Sequence, residues 1–133
     1  MSNSKQKSVV LKAFNKTLSE FLTEMNNIIP NNSDIKSAKR SNSIMSKMNP
    51  SLIIKAWETH VNEHYYEHIM KSDLDYFLEK DYSEDMENLG TNDSLEFISN
   101  IKEPVKNLDE KNKETAFVYI QNLCKLSYAY NNN

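Results

Sequence analysis

An all-α fold, a compact single-domain bundle of five to six helices, follows from three observations on the sequence. The 133 residues contain one glycine and three prolines, and hairpins and phosphate-cradling loops lean on glycine. Apolar residues recur at three- and four-residue steps through several segments, which is the spacing of a core-facing helical stripe. The aliphatic and aromatic share, 38%, is ordinary for a chain that buries one core, and the length suits one domain rather than two.

The first helix is expected from about Lys7 to Ile29, after a frayed tail over residues 1–6. Val10, Phe14, Leu18, Phe21, Met25 and Ile28 form its stripe, widened by Leu11, Leu22 and Ile29. Pro30-Asn31-Asn32-Ser33 ends it, and Asn32 or Ser33 caps the next. A second helix over about Asp34–Met48 is thinner in apolar residues and reads as peripheral. Ile35, Ala38, Ile44, Met45 and Met48 are set among Lys36, Lys39, Arg40, Lys47 and several serines.

Asn49-Pro50 predicts the start of the central helix, with Asn49 as cap and Pro50 in the first turn. Ile53, Trp57, Val61, His64 and His68 then share one side of a straight helix ending near Lys71. A short fourth helix is expected over Asp73–Lys80, with an acidic connection over residues 81–92. A fifth helix begins after Asp93 and uses Leu95, Ile98 and Ile101, and Pro104 is expected to break or bend it. The last helix is capped at Asp109 and runs to about Tyr130 through Ala116, Phe117, Ile120, Leu123, Cys124 and Ser127, before a frayed 131–133.

The formal charge of −3 conceals an asymmetry: residues 1–56 carry nine cations against three carboxylates, net +6, leaving −9 for the remainder. The ordinary explanation is that helices have solvated charged faces. Such polarity also suits a protein that meets charged partners, or copies of itself, on opposite faces. Lys36, Lys39, Arg40 and Lys47 are the basic interaction candidates; Asp73, Asp75, Asp81 and Asp85 are the acidic ones.

Chemical motifs are scarce. His60, His64 and His68 form a four-residue ladder, a metal-binding alternative. Consecutive turns of one straight helix seldom aim three imidazoles at one point, however, and packing beside Trp57 and Val61 explains two of them. His60-Val61 departs from the His-Glu-x-x-His order. A calcium loop opening at Asp73 fails at Phe77 and Leu78, where an oxygen ligand and glycine are required. Cys124, the lone cysteine, sits on an apolar helical face and reads as a small buried hydrophobe in a reducing compartment. One glycine excludes the nucleophile elbow, the Walker A loop and the dinucleotide fingerprint. No catalytic residue and no cofactor are expected.

The N-terminus lacks the apolar core of a signal peptide, Ser2 stands where myristoylation needs glycine, and no apolar run nears the roughly 20 residues of a membrane span. The expectation is a protein that is neither secreted nor in a membrane. Nucleic-acid binding through the second helix is the main alternative function. The pI of 5.6 and the lack of aromatics among those cations weigh against it.

The order of motifs resembles a family of small all-helical proteins encoded by giant DNA viruses of the mimivirus-like and algal-virus lineages. The matching residues are Phe14-Asn15-Lys16, Phe21, Pro30, Asp34-Ile35-Lys36, Ala38-Lys39, Asn49-Pro50, Ile53-Ile54-Lys55, Trp57, Val61, Tyr65 and Ile69. Asp73, Phe77, Lys80-Asp81-Tyr82, Asp85, Tyr119-Ile120-Gln121-Asn122-Leu123 and Leu126-Ser127 complete the order. The resemblance implies a non-enzymatic viral product of the virion or host cytoplasm, with protein partners among virion components or its own copies. It supplies no catalytic residues and does not include the histidines. Ser72 stands where the family often has glycine, so the tight turn there departs from the pattern.

Overall fold

The computed structural model describes residues 2–62, 67 and 93–131 of the chain. Among them are five α-helices and one π-helical turn, and no strand. They are α1 (Ser2–Ile28), α2 (Ser33–Met48), α3 (Leu52–Trp57) with the π-turn Glu58–Asn62, α4 (Asp93–Lys106) and α5 (Glu110–Asn131). The bundle class expected from the sequence is therefore the class found.

α1 is the axis of the packing. Phe14, Leu18, Phe21, Leu22 and Met25 are buried along its length, the three- and four-residue stripe read from the sequence. It starts at Ser2, so the helix takes in most of the expected frayed tail. Among the described helices its largest interface is with α5, and the two run antiparallel. Phe21 stacks on Tyr119 with ring centroids 5.3 Å apart, while Lys7, fourteen residues earlier, lies 5.0 Å above the ring of Tyr130.

α1 ends through Pro30 and Asn31, the latter at φ 71°. Asparagine tolerates this left-handed conformation better than most residues. Asn32 then caps α2, its Oδ1 accepting from the Ile35 amide at 3.0 Å. Asp34 in the first turn and Lys47 in the last both complement the helix dipole.

At the next junction the structure corrects the sequence reading. Asn49 does not cap α3. It closes α2, its amide bonding the Met45 carbonyl at 2.8 Å, and its Oδ1 accepts from the Ser51 amide at 3.2 Å and hydroxyl at 3.0 Å. Ser51 is the residue that precedes α3, without a side-chain cap. Asparagine in extended conformation bonds locally as readily here as at a helix start, which explains the misreading.

The straight central helix is also corrected. α3 lasts six residues and passes into the π-turn, which brings residues five apart onto one face. Val61 stays in the core, and Asn62 joins it at 5% exposure. Expectations for residues 63–66 and 68–92 lie outside the described residues: the rest of the central helix, the fourth helix and the acidic connection. Glu67 is exposed in helical conformation.

α4 continues through Pro104 to Lys106, two residues past the expected break. Proline deprives the Asn100 carbonyl of its donor, and the helix then closes with tightened bonds from Asn107 N to Pro104 O and Leu108 N to Val105 O, each 3.2 Å. Its buried stripe is Phe97, Ile101 and Val105, with Phe97 1% exposed. Leu95 and Ile98 have side chains outside the described residues. Asp109 caps α5 as expected, Oδ1 accepting from the Asn112 amide at 2.8 Å.

Candidate interaction surface

Two polar constellations stand out, one buried and one exposed. The buried one lies where the π-turn meets α5. Trp57, fully buried, packs edge-on against Phe14 at 6.2 Å between centroids and donates its indole N–H to the Cys124 sulfur at 3.3 Å. Asn62 donates to a Glu58 carboxylate oxygen at 2.8 Å and to the Cys124 carbonyl at 2.9 Å. Ser127 sits within 3.2 Å of both the Ile54 carbonyl and the Glu58 carboxylate. Asn62 Oδ1 is buried and has no hydrogen-bond partner among the described residues.

This cluster is chemically quiet. Burial pushes the Cys124 thiol up from 9.0 to about 12, the indole N–H opposes that shift, and the Glu58 carboxylate adds to it. A thiolate nucleophile needs the opposite conditions. The side chains of His60, His64 and His68 lie outside the described residues. Among the described residues no three His, Cys, Asp or Glu side chains gather closely enough to hold a metal ion. The cluster fastens the π-turn to α5.

The exposed constellation is the outer face of α2. Ile35, Ala38, Asn42 and Met45 are buried, and Lys36, Lys39, Arg40 and Lys47 are all exposed. At 100° per residue the four cations fall within an arc of about 100°, whose midpoint lies about 130° around the helix from the middle of the buried stripe. Ser43, exposed, stands within that arc. The helix is held from beneath by Asn42, which sequence reading assigned no role. Its Nδ2 donates to Ser19 Oγ on α1 at 3.3 Å and its Oδ1 accepts from Ser46 Oγ at 3.3 Å. Its place between Ala38 and Met45 at helical spacing was the available signal.

The ridge has little internal compensation. Lys36 Nζ reaches the neutral Asn31 Oδ1 at 3.4 Å; among the described residues no ion pair holds Lys36, Lys39, Arg40 or Lys47. Lys36–Lys39 and Lys36–Arg40 are like-charge neighbours at i,i+3 and i,i+4, each costing a few tenths of a kcal/mol. The helix carries a single carboxylate, Asp34.

Shallow grooves run along both flanks of α2. One, against α1, is about 310 Å³ and lined by Ser19, Thr23, Lys39, Ser43, Ser46 and Lys47 among others. The other, against α4, is about 300 Å³; Met45 and Phe97 contribute apolar surface, and Ser37, Arg40, Ser41, Ile44 and Asn100 complete its lining. The structure thus brings the basic candidates together on one ridge. The acidic candidates, Asp73, Asp75, Asp81 and Asp85, lie outside the described residues.

No helix among the described residues is long and apolar enough to cross a membrane. No protein-family model, no curated protein and no solved structure matches the chain. The ridge is therefore read from its geometry and charge alone.

Proposed function

We propose that this is a non-enzymatic interaction protein that docks an anionic partner on the outer face of α2. The observation that carries the reading is the ridge of Lys36, Lys39, Arg40 and Lys47: exposed, without ion-pair partners among the described residues, and turned away from the buried stripe that anchors the helix. An anionic partner relieves the mutual repulsion of these cations and speeds encounter through the local field. The resemblance to giant-virus helical proteins supports placing the partner among virion components, or copies of this chain, in the virion or host cytoplasm.

The test is affinity purification from infected cells with the wild-type chain and a Lys36→Glu/Arg40→Glu/Lys47→Glu variant as baits. A partner lost from the variant is the expected result. Identical partner lists, or measured turnover of a substrate, would contradict the reading.

A second reading takes the anion to be a nucleic-acid backbone. The alignment of the four cations along roughly 16 Å of helix favours it, from a rise of about 1.5 Å per residue. It requires salt-sensitive binding to oligonucleotides that weakens in Lys39→Glu/Arg40→Glu. Binding unchanged in that variant sinks it.

A further inference from the structure

We propose that the partner of α2 is an acidic amphipathic helix of another protein. It lies along the ridge with its carboxylates on Lys36, Arg40 and Lys47 and its apolar side chains on Ile44, Met48 and the groove beside α4. This inference rests on the docking role of α2 proposed above and names the chemistry of the partner.

The added observation is the apolar strip beside the cations. Ile44 is 52% and Met48 81% exposed, and they stand one turn apart on the side of α2 that faces the α4 groove. Five large hydrophobics are exposed among the described residues; Ile44 and Met48 are the pair that share a helix at i,i+4. Solitary exposed hydrophobics are ordinary, whereas an adjacent pair continuous with an apolar-floored groove extends one surface. Met45 and Phe97 line that groove. Methionine at the open end suits a docking surface because its unbranched thioether adapts to the contour laid on it.

Charge and shape then select among anions. A phosphate backbone engages the cations and gains nothing from two aliphatic side chains. The strip offers no aromatic plane on which a base could stack. A helix matches both halves. The cations at positions 36, 40 and 47 are separated by about 6 Å and about 10 Å along the axis, the spacing of carboxylates four and seven residues apart on a facing helix. The flanking strip takes residues on the neighbouring azimuth, as in helix-in-groove recognition.

The test uses a synthetic four-turn helical peptide carrying glutamates at positions i, i+4 and i+11, with leucines on the adjacent face. Its controls are a scrambled peptide of identical composition and a single-stranded oligonucleotide, each followed by fluorescence anisotropy at near-physiological salt. The expected result is binding of the amphipathic peptide at least about tenfold tighter than the scrambled one. Ile44→Ser/Met48→Ser should weaken the peptide about tenfold and leave the oligonucleotide unaffected. Lys36→Glu/Arg40→Glu/Lys47→Glu should weaken both.

Both Ile44 and Met48 are exposed, so an unchanged thermal melt verifies folding of the apolar variant. Equal binding of the two peptides, no peptide binding at all, or indifference to the apolar variant overturns the inference. In the first and third cases a charge-dependent anion site survives, and the proposed function with it. Indifference to the charge-reversed variant overturns both. Tighter binding of the oligonucleotide than of the peptide transfers the ridge to the nucleic-acid reading.

Discussion

The π-turn and the α2 ridge use polar side chains in opposite ways. At the π-turn, Glu58, Asn62 and Ser127 are tied to one another and to the Ile54 and Cys124 carbonyls at 2.8–3.2 Å. On α2 the charged side chains project outward, and among the described residues the one hydrogen bond to the ridge cations, from Lys36 to Asn31, is long at 3.4 Å. Polar groups that satisfy each other in the interior specify the packing of the fold. Charges that repel their neighbours at the surface add little to stability and keep their field for a partner. The difference teaches which region to assign to architecture and which to recognition, and substitution can break that assignment.

The largest expected effect is on the buried side. Trp57→Ala should lower unfolding stability by about 3–5 kcal/mol in chemical denaturation, because a fully buried indole leaves a cavity under Phe14. A near-neutral value would mean that this helix faces a partner. The alkaline limb of stability comes next. The unfolded thiol releases its proton near 9.0 and the folded one near about 12. Between those values the unfolded state binds fewer protons, so stability is fully present below about pH 9 and falls as pH rises toward about 12. Comparison of alkaline unfolding with Cys124→Ala isolates this contribution, which the variant should lack.

Asn62→Ala should cost about 1–3 kcal/mol by stripping donors from the Glu58 carboxylate and the Cys124 carbonyl. Asp109→Ala, which removes the α5 cap, should cost about 1 kcal/mol. The smallest stability effect belongs to the ridge: Lys36→Glu/Arg40→Glu should stay within about 0.5 kcal/mol of wild type while weakening peptide or polyanion capture. A ridge variant that unfolds, or a π-turn variant that folds normally and loses binding, would reverse the comparison.

How much of this was legible in the sequence depends on how local the determinant is. The stripe of α1, the Asn32 and Asp109 caps and the bounds of α2 are set by residues within one or two turns, and periodicity finds them. The π-turn is different. Ile53, Trp57 and Val61 fit a straight 3.6-residue repeat up to Val61, and only the burial of Asn62 betrays the wider turn. That burial depends on the Cys124 carbonyl, 62 residues away in the chain. Asn42 escaped for a related reason: as a polar residue it was given no role, although its spacing from Ala38 and Met45 put it in the stripe. Phe97 was overlooked beside Leu95 and Ile98, yet it lies one turn before Ile101 and two before Val105, the residues that are buried with it. For the ridge, residue types sufficed to name Lys36, Lys39, Arg40 and Lys47. That Ile44 and Met48 belong to the same surface required the position of α4.

The contact between Trp57 and Cys124 has a practical consequence. The chain has one tryptophan, and a thiol, an efficient quencher of indole emission, rests 3.3 Å from its ring nitrogen. Fluorescence from the folded protein should therefore be blue-shifted and dim. Loss of this single contact should brighten it before the spectrum moves to the red of a solvated indole. Intensity thus reports the seating of the π-turn against α5, and wavelength reports the exposure of the core. A single unlabelled sample carries two optical channels for following where unfolding begins.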